Sequence, residues 1–111
     1  MFYTYMLASR RNGTLYVGST DGLQRRMWEH RAKVRPGFTA RYGVTLLVWF
    51  ERHETRAGAV QRERRIKAWR RSWKIMLIEA DNPTWRDLCG EEFPEPDVAA
   101  WLAGLPHDRR A

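Results

Sequence analysis

The sequence predicts an α+β domain. Three observations carry that reading: strand-like segments on both sides of an Asn-Gly turn near the N-terminus, a β-branched and aromatic run at 44–50, and apolar residues at helical spacing before and after that run.

The hairpin comes first. Phe2 to Ala8 and Thr14 to Ser19 are rich in aromatic and β-branched residues, and Arg11-Asn12-Gly13 between them supplies the turn. Side chains alternate across a strand, so Tyr3, Tyr5 and Leu7 point one way and Phe2, Thr4 and Met6 the other. A loop of two or four residues sets Tyr16 opposite Ser9 or Leu7 and puts it on the face of Tyr5; an odd loop flips it.

Ser19-Thr20-Asp21 offers caps for a helix from about Gly22 to Val34, stopped by Pro36-Gly37. Leu23, Met27, His30 and Val34 make its inward stripe, with His30 in the stripe and Arg26 on its flank, two polar groups on a face that should be apolar. Phe38 to Tyr42 suits a short turn of helix. Val44 to Phe50 reads as a buried third strand, with Glu51 opening a polar link. A second helix is expected from about Thr55 to Trp69, and a third from Trp73 to about Ala80, with Ser72 as its cap and Asn82-Pro83 as its stop. Ala59, Val60 and Ile66 define the apolar face of the second helix, and helical geometry sets Glu63 between them. An inward carboxylate needs a partner or a metal ion.

Acidic residues and two prolines take over after Leu88, which sets a domain of residues 1–90 and an acidic tail of 91–111, with Val98 to Leu105 as a short helix. At 111 residues and a formal charge of +7, the chain suits one modest core and attraction to polyanions, nucleic acid foremost. The single cysteine, Cys89, excludes an internal disulfide framework, and paired cysteines for structural zinc are absent. No apolar run reaches the length of a membrane span, so a cytoplasmic protein without a membrane partner is expected.

Five short blocks in order resemble the GIY-YIG nuclease family, in particular its small standalone bacterial members. They are Tyr3-Thr-Tyr5, Tyr16-Val-Gly18, Leu23 through His30, Arg62 through Trp69, and Asn82 through Leu88. The first motif departs from the family in one place: Tyr3 stands where the opening glycine belongs. The resemblance implies a small three-stranded antiparallel sheet flanked by helices, and metal-dependent hydrolysis of DNA phosphodiesters. A catalytically inactive nucleic-acid-binding module of the same fold is the alternative.

Carried onto this chain, the resemblance makes Glu63 the ligand of Mg²⁺ or Mn²⁺, with water and phosphate oxygens completing the shell. Tyr16 becomes the general base and Tyr5 its hydrogen-bonding neighbour, roles the two phenols can exchange. Arg26 holds the scissile phosphate through its planar fork of donors, His30 orients a neighbouring group, and Gly18 and Asn82 support the site. Arg62, Arg65, Lys67, Arg70 and Arg71 are the expected nucleic-acid contacts, in a stretch from Arg56 to Lys74 whose only acid is Glu63.

Structural readings stand beside these. The tyrosines suit sheet packing, His30 a satisfied core position, and Glu63 an ion pair with Arg26 or a neighbouring arginine. Trp69 and Trp73 are expected in the core, their alternative being to stack on bases. Trp85 is expected to pack, while His53 and Cys89 receive no role. No appended DNA reader is visible, so strand structure or single-strandedness is the expected determinant, with a protein partner or homodimer left open.

Overall fold

The structure, a computed structural model, describes residues 1–32 and 43–89, with the side chains of residues 31 and 32 excepted. It contains β1 (Phe2–Ala8), β2 (Leu15–Thr20), α1 (Leu23–Ala32), β3 (Leu46–His53), α2 (Arg56–Lys67) and α3 (Arg71–Asp81). The strands form one antiparallel sheet in the order β2-β1-β3. Val34, the Pro36-Gly37 stop, the turn at 38–42, the boundary at 90/91 and the 98–105 helix lie outside the described residues.

Leu7 pairs with Tyr16, and the Ser9 N–H donates to the Thr14 carbonyl at 3.0 Å, so the hairpin loop holds the four residues Arg10 to Gly13. Asn12 takes the left-handed conformation there (φ 58°), which its short polar side chain tolerates. The even count brings Tyr3, Tyr5, Leu7 and Tyr16 to one face of the sheet.

A bulge in β3 shapes both faces. Met6 pairs with Trp49 but Leu7 with Leu47, leaving Val48 as the extra residue. Val48 and Trp49 therefore both join one buried cluster, with Met6, Ala8, Val17, Ile66, Ile78 and Trp85 under α2 and α3. On the other face Leu47 joins Tyr5, Leu7, Leu23, Met27, Val44, Leu88 and Cys89, packed by α1. Buried Thr4 donates its hydroxyl to the Ala59 carbonyl at 2.8 Å, so the polar group under α2 is satisfied.

Several element ends and one burial differ from the sequence expectation. Glu51, Arg52 and His53 belong to β3 rather than to a link, because their backbones pair with Thr4, Tyr3 and Phe2, and an edge strand needs no apolar side chains to do so. The third helix begins at Arg71 rather than Trp73, since the N–H groups of Trp73 and Lys74 close on the Arg70 carbonyl; Ser72 lies inside the first turn and is no cap. Trp73 is not core: it is 49% exposed beside Met76 at 68%, while Trp69 is half-buried against the cluster under α2 and α3. β3 starts at Leu46 rather than Val44 and α2 ends at Lys67 rather than Trp69, while the start of α2, the stop of α3 and the packing of Trp85 agree. The Thr55 hydroxyl caps α2 by accepting the Gly58 N–H at 3.0 Å, Asn82 closes α3, and Trp85 packs at 3% exposure.

Candidate active site

Tyr5 projects from the central strand β1 directly across from Gly18 of β2. A Cβ at position 18 would lie 2.6 Å from the Tyr5 Oη and 3.0 Å from a Tyr16 ring carbon, so the phenol occupies the space a side chain would need. His30 reaches the pair from α1, its Nε2 3.2 Å from the Tyr5 Oη. Ring centroids lie 6.2 Å apart for Tyr5–Tyr16, 6.1 Å for Tyr5–His30 and 5.6 Å for Tyr16–His30. The three rings that strand alternation and helical spacing place on one face thus meet.

Their environments differ. Tyr5 is buried, and burial drives its phenol well above the usual range; the neighbouring Tyr16 adds to that, and the Arg26 charge opposes it. Tyr5 therefore stays protonated as a fixed donor. Tyr16 is half-buried and open to an incoming group. Burial, reinforced by the Arg26 charge, lowers the His30 imidazole to about 4, so it is neutral at pH 7. With its proton on Nδ1, Nε2 accepts from the Tyr5 hydroxyl.

Arg26, one turn before His30, leaves its Nε buried without a hydrogen-bond partner. Its nearest anion is the buried Glu29 carboxylate at 3.7 Å, beyond hydrogen-bond reach. Glu29 was legible only as an i,i+3 partner of Arg26. The Arg26 side chain is 31% exposed overall, so the rest of its guanidinium fork, not the buried Nε, is what a phosphate oxygen can reach.

Glu63 arrives from the opposite face. Its Oε1 accepts from the Ser19 hydroxyl at 2.6 Å and its Oε2 lies 2.5 Å from Lys67 Nζ, with 17% of its side chain exposed. Ser19 follows Gly18 on the edge strand β2, so the carboxylate is held at that strand's rim, where its charge still acts on Tyr5. Ser19 looked like a helix cap in the sequence; Thr20 fills that need instead, its hydroxyl accepting the Gly22 N–H at 3.1 Å. Among the described residues no cluster of three or more His, Cys, Asp or Glu side chains forms. A single carboxylate, 17% exposed and with lone pairs left after its bonds to Ser19 and Lys67, nevertheless fits a magnesium-type ion that shares its shell with water and phosphate.

The five expected nucleic-acid contacts divide. Arg62 donates to Glu51 at 3.1 Å and lies over the rings of Trp49 and Trp69, Arg71 donates to the carbonyls of Asn12 and Gly13 at 2.7 and 2.6 Å, and Lys67 pairs with Glu63. Arg65 and Arg70 are exposed. Asn82, 2% exposed, bonds the carbonyls of Val48 and Arg86 and the Arg86 N–H, tying the β3 bulge to the segment after α3. Tyr3, at the departing motif position, packs edge-on against Phe50 at 6.4 Å in extended backbone that accommodates a side chain.

The GIY-YIG catalytic domain profile matches residues 1–76. A UPF0213 protein of Natronomonas pharaonis is 37% identical over 76 residues, 68% of this chain and 88% of that protein. A UPF0213 protein of Bacillus pumilus is 34% identical over 77 residues, 69% of this chain and 78% of its own, and one of Clostridium perfringens is 34% identical over 80 residues, 72% and 85%. No solved structure matches the chain.

Proposed function

The chain belongs to the GIY-YIG catalytic domain family, a family of nucleases, and we propose that its reaction is metal-dependent endonucleolytic hydrolysis of phosphodiester bonds in DNA. The observation that carries this reading is the convergence of Tyr5, Tyr16 and neutral His30 over Gly18, with the Glu63 carboxylate at the rim of the same strand.

The residues divide the work by environment. Tyr16, the accessible phenol, works in its deprotonated form: its own proton leaves to solvent, and the phenolate oxygen then takes the proton of the attacking water. Tyr5, buried and protonated, holds the position of its neighbours through bonds to His30 and Tyr16. Arg26 donates to the scissile phosphate and to the charge that grows on it, an effect strengthened by the partly buried setting. Glu63, oriented by Ser19, would hold the divalent ion, Mg²⁺ or Mn²⁺. Such an ion supplies compensation of phosphoryl charge and help to the departing oxygen. The exposed Arg65 and Arg70 suit phosphates, which carry no sequence information, so strand structure or single-strandedness rather than a long specific sequence decides where the cut falls.

One observation favours the alternative of a binding module without turnover. Both Glu63 oxygens already have partners in Ser19 and Lys67, an arrangement that stands without a metal ion. Cleavage of labelled single-stranded, duplex and branched DNA in Mg²⁺, Mn²⁺ and chelator separates the two. Metal-dependent cutting is the expected result; binding without cutting on every substrate establishes the module instead.

A further inference from the structure

Where α2 meets α3, the side chains of Trp69, Trp73, Met76 and Leu77 line an open apolar groove of about 410 Å³. Its walls are partly solvated, with Trp73 49% and Met76 68% exposed. The two indoles stand edge to face, centroids 6.2 Å apart. Arg70 lies over the Trp73 ring at 5.0 Å and Arg62 over the Trp69 ring at 5.5 Å. None of this belongs to the tyrosine cluster, which sits on the other face of the sheet.

We infer that the groove formed by Trp69, Trp73 and Met76, rimmed by Arg70, is a stacking subsite for an unpaired base of the nucleic-acid strand. The inference deepens the nuclease reading and rests on it for the identity of the strand. Every base has a π-face, and stacking on an exposed indole is tolerant of sequence. In a duplex the bases are already stacked and paired, so only an unpaired base can enter.

Charge decides between occupants. The segment from Arg56 to Lys74 carries eight cations and one acid, so two copies of this chain meeting groove to groove would press like charges together, whereas a polyanion brings its own compensation. Arg70 is exposed and surface cation–π contacts are weak, about 2- to 5-fold in affinity. Base–aromatic stacking is worth about 5- to 100-fold, so a base displaces the guanidinium from the Trp73 ring and leaves it to meet the adjoining phosphate. Glu63 lies in the last turns of α2 and Trp69 two residues past its end, so the groove opens at the same end of α2 as the carboxylate.

Binding measured in chelator tests this independently of turnover. Fluorescence polarisation with labelled oligothymidylate and with a duplex of equal length compares wild type with Trp73→Ala, Trp73→Phe and Met76→Glu. Trp73→Ala is expected to weaken single-strand binding about 10-fold while leaving duplex affinity within about twofold, and Trp73→Phe to restore most of the loss. Met76→Glu, a change at an exposed position outside the core, should weaken the single strand selectively as well. Arg70→Gln should lower the salt slope by about one unit, which Trp73→Ala should not. Unchanged single-strand affinity in both Trp73→Ala and Met76→Glu, equal losses on both nucleic acids, or a wild-type dimer that Trp73→Ala dissociates would overturn the inference. If wild type cuts no substrate yet Trp73→Ala selectively loses the single strand, the stacking site stands and the nuclease reading falls.

Discussion

The face of the sheet under α2 and α3 buries an almost wholly apolar cluster, its one buried hydroxyl, that of Thr4, committed to the Ala59 carbonyl. The face under α1 buries as many apolar residues but sets Tyr5, Tyr16, His30 and an unpaired Arg26 donor among them. The two faces share three strands and differ in the polar side chains they bring together; each leaves one buried nitrogen without a hydrogen bond, Arg26 Nε under α1 and His53 Nε2 beside α2. In the proposed nuclease reading the face under α1 carries the chemistry and the face under α2 and α3 the stability, with Glu63 reaching the rim between them.

Substitutions can break or sharpen that contrast. Among the clustered rings the largest effect is expected at Tyr16→Phe, a rate loss of about 10²- to 10⁴-fold if the phenol moves the proton. Tyr5→Phe should cost less, because its hydroxyl is buried and held protonated. Single-turnover cleavage ranks the two, and the reverse order would make Tyr5 the base. On the other face, Ile78→Ala removes a fully buried side chain and should cost about 2–5 kcal/mol in denaturant unfolding while sparing the rate of the folded fraction.

Gly18→Ala should move both readouts. Its Cβ meets the Tyr5 phenol, and forced repacking of this kind costs about 1–3 kcal/mol. If it lowered stability but left cleavage intact, the Tyr5 position would not matter to the chemistry.

The smallest effect concerns pH. The imidazole of His30 titrates near 4 in the folded chain against 6.5 when unfolded, so the unfolded chain binds its proton first. Its contribution is therefore neutral above pH 6.5, and stability declines as pH falls from 6.5 towards 4. An NMR titration of the His30 ring should find its midpoint well below 6.5, and a midpoint at the ordinary value would remove the neutral-imidazole role.

Much of this was legible in the residues. Alternation set Tyr5 and Tyr16 on one face given an even loop, and helical spacing brought His30 and Arg26 to them. The loop count itself was not legible: Asn-Gly announces a turn, but the turn is held by Arg71, nearly sixty positions away, through the carbonyls of Asn12 and Gly13. Such long-range bonds leave no local pattern. The same limit hid the partnership of Ser19 with Glu63, because Ser19-Thr20-Asp21 also satisfies the rule for a helix start. Polar Glu51 to His53 read as a link because side-chain pattern does not report backbone pairing at a sheet edge. Trp73 read as core because an indole usually is, and its 49% exposure depends on tertiary packing that its neighbours in sequence do not report.

Glu63 decides between a catalytic and a structural account of the rim. The most direct measurement is the single-turnover cleavage rate and the thermal midpoint of Glu63→Gln, taken in one buffer beside wild type. Glutamine keeps the shape and an oxygen for Ser19 but gives up the charge. A partly exposed ion pair such as Glu63–Lys67 is worth only about 0–1 kcal/mol, so the midpoint should barely move, while the rate should fall by about 10³-fold or more as charge compensation is lost. Retained cleavage with a lowered midpoint would contradict the account and make Glu63 a structural counter-ion of Lys67.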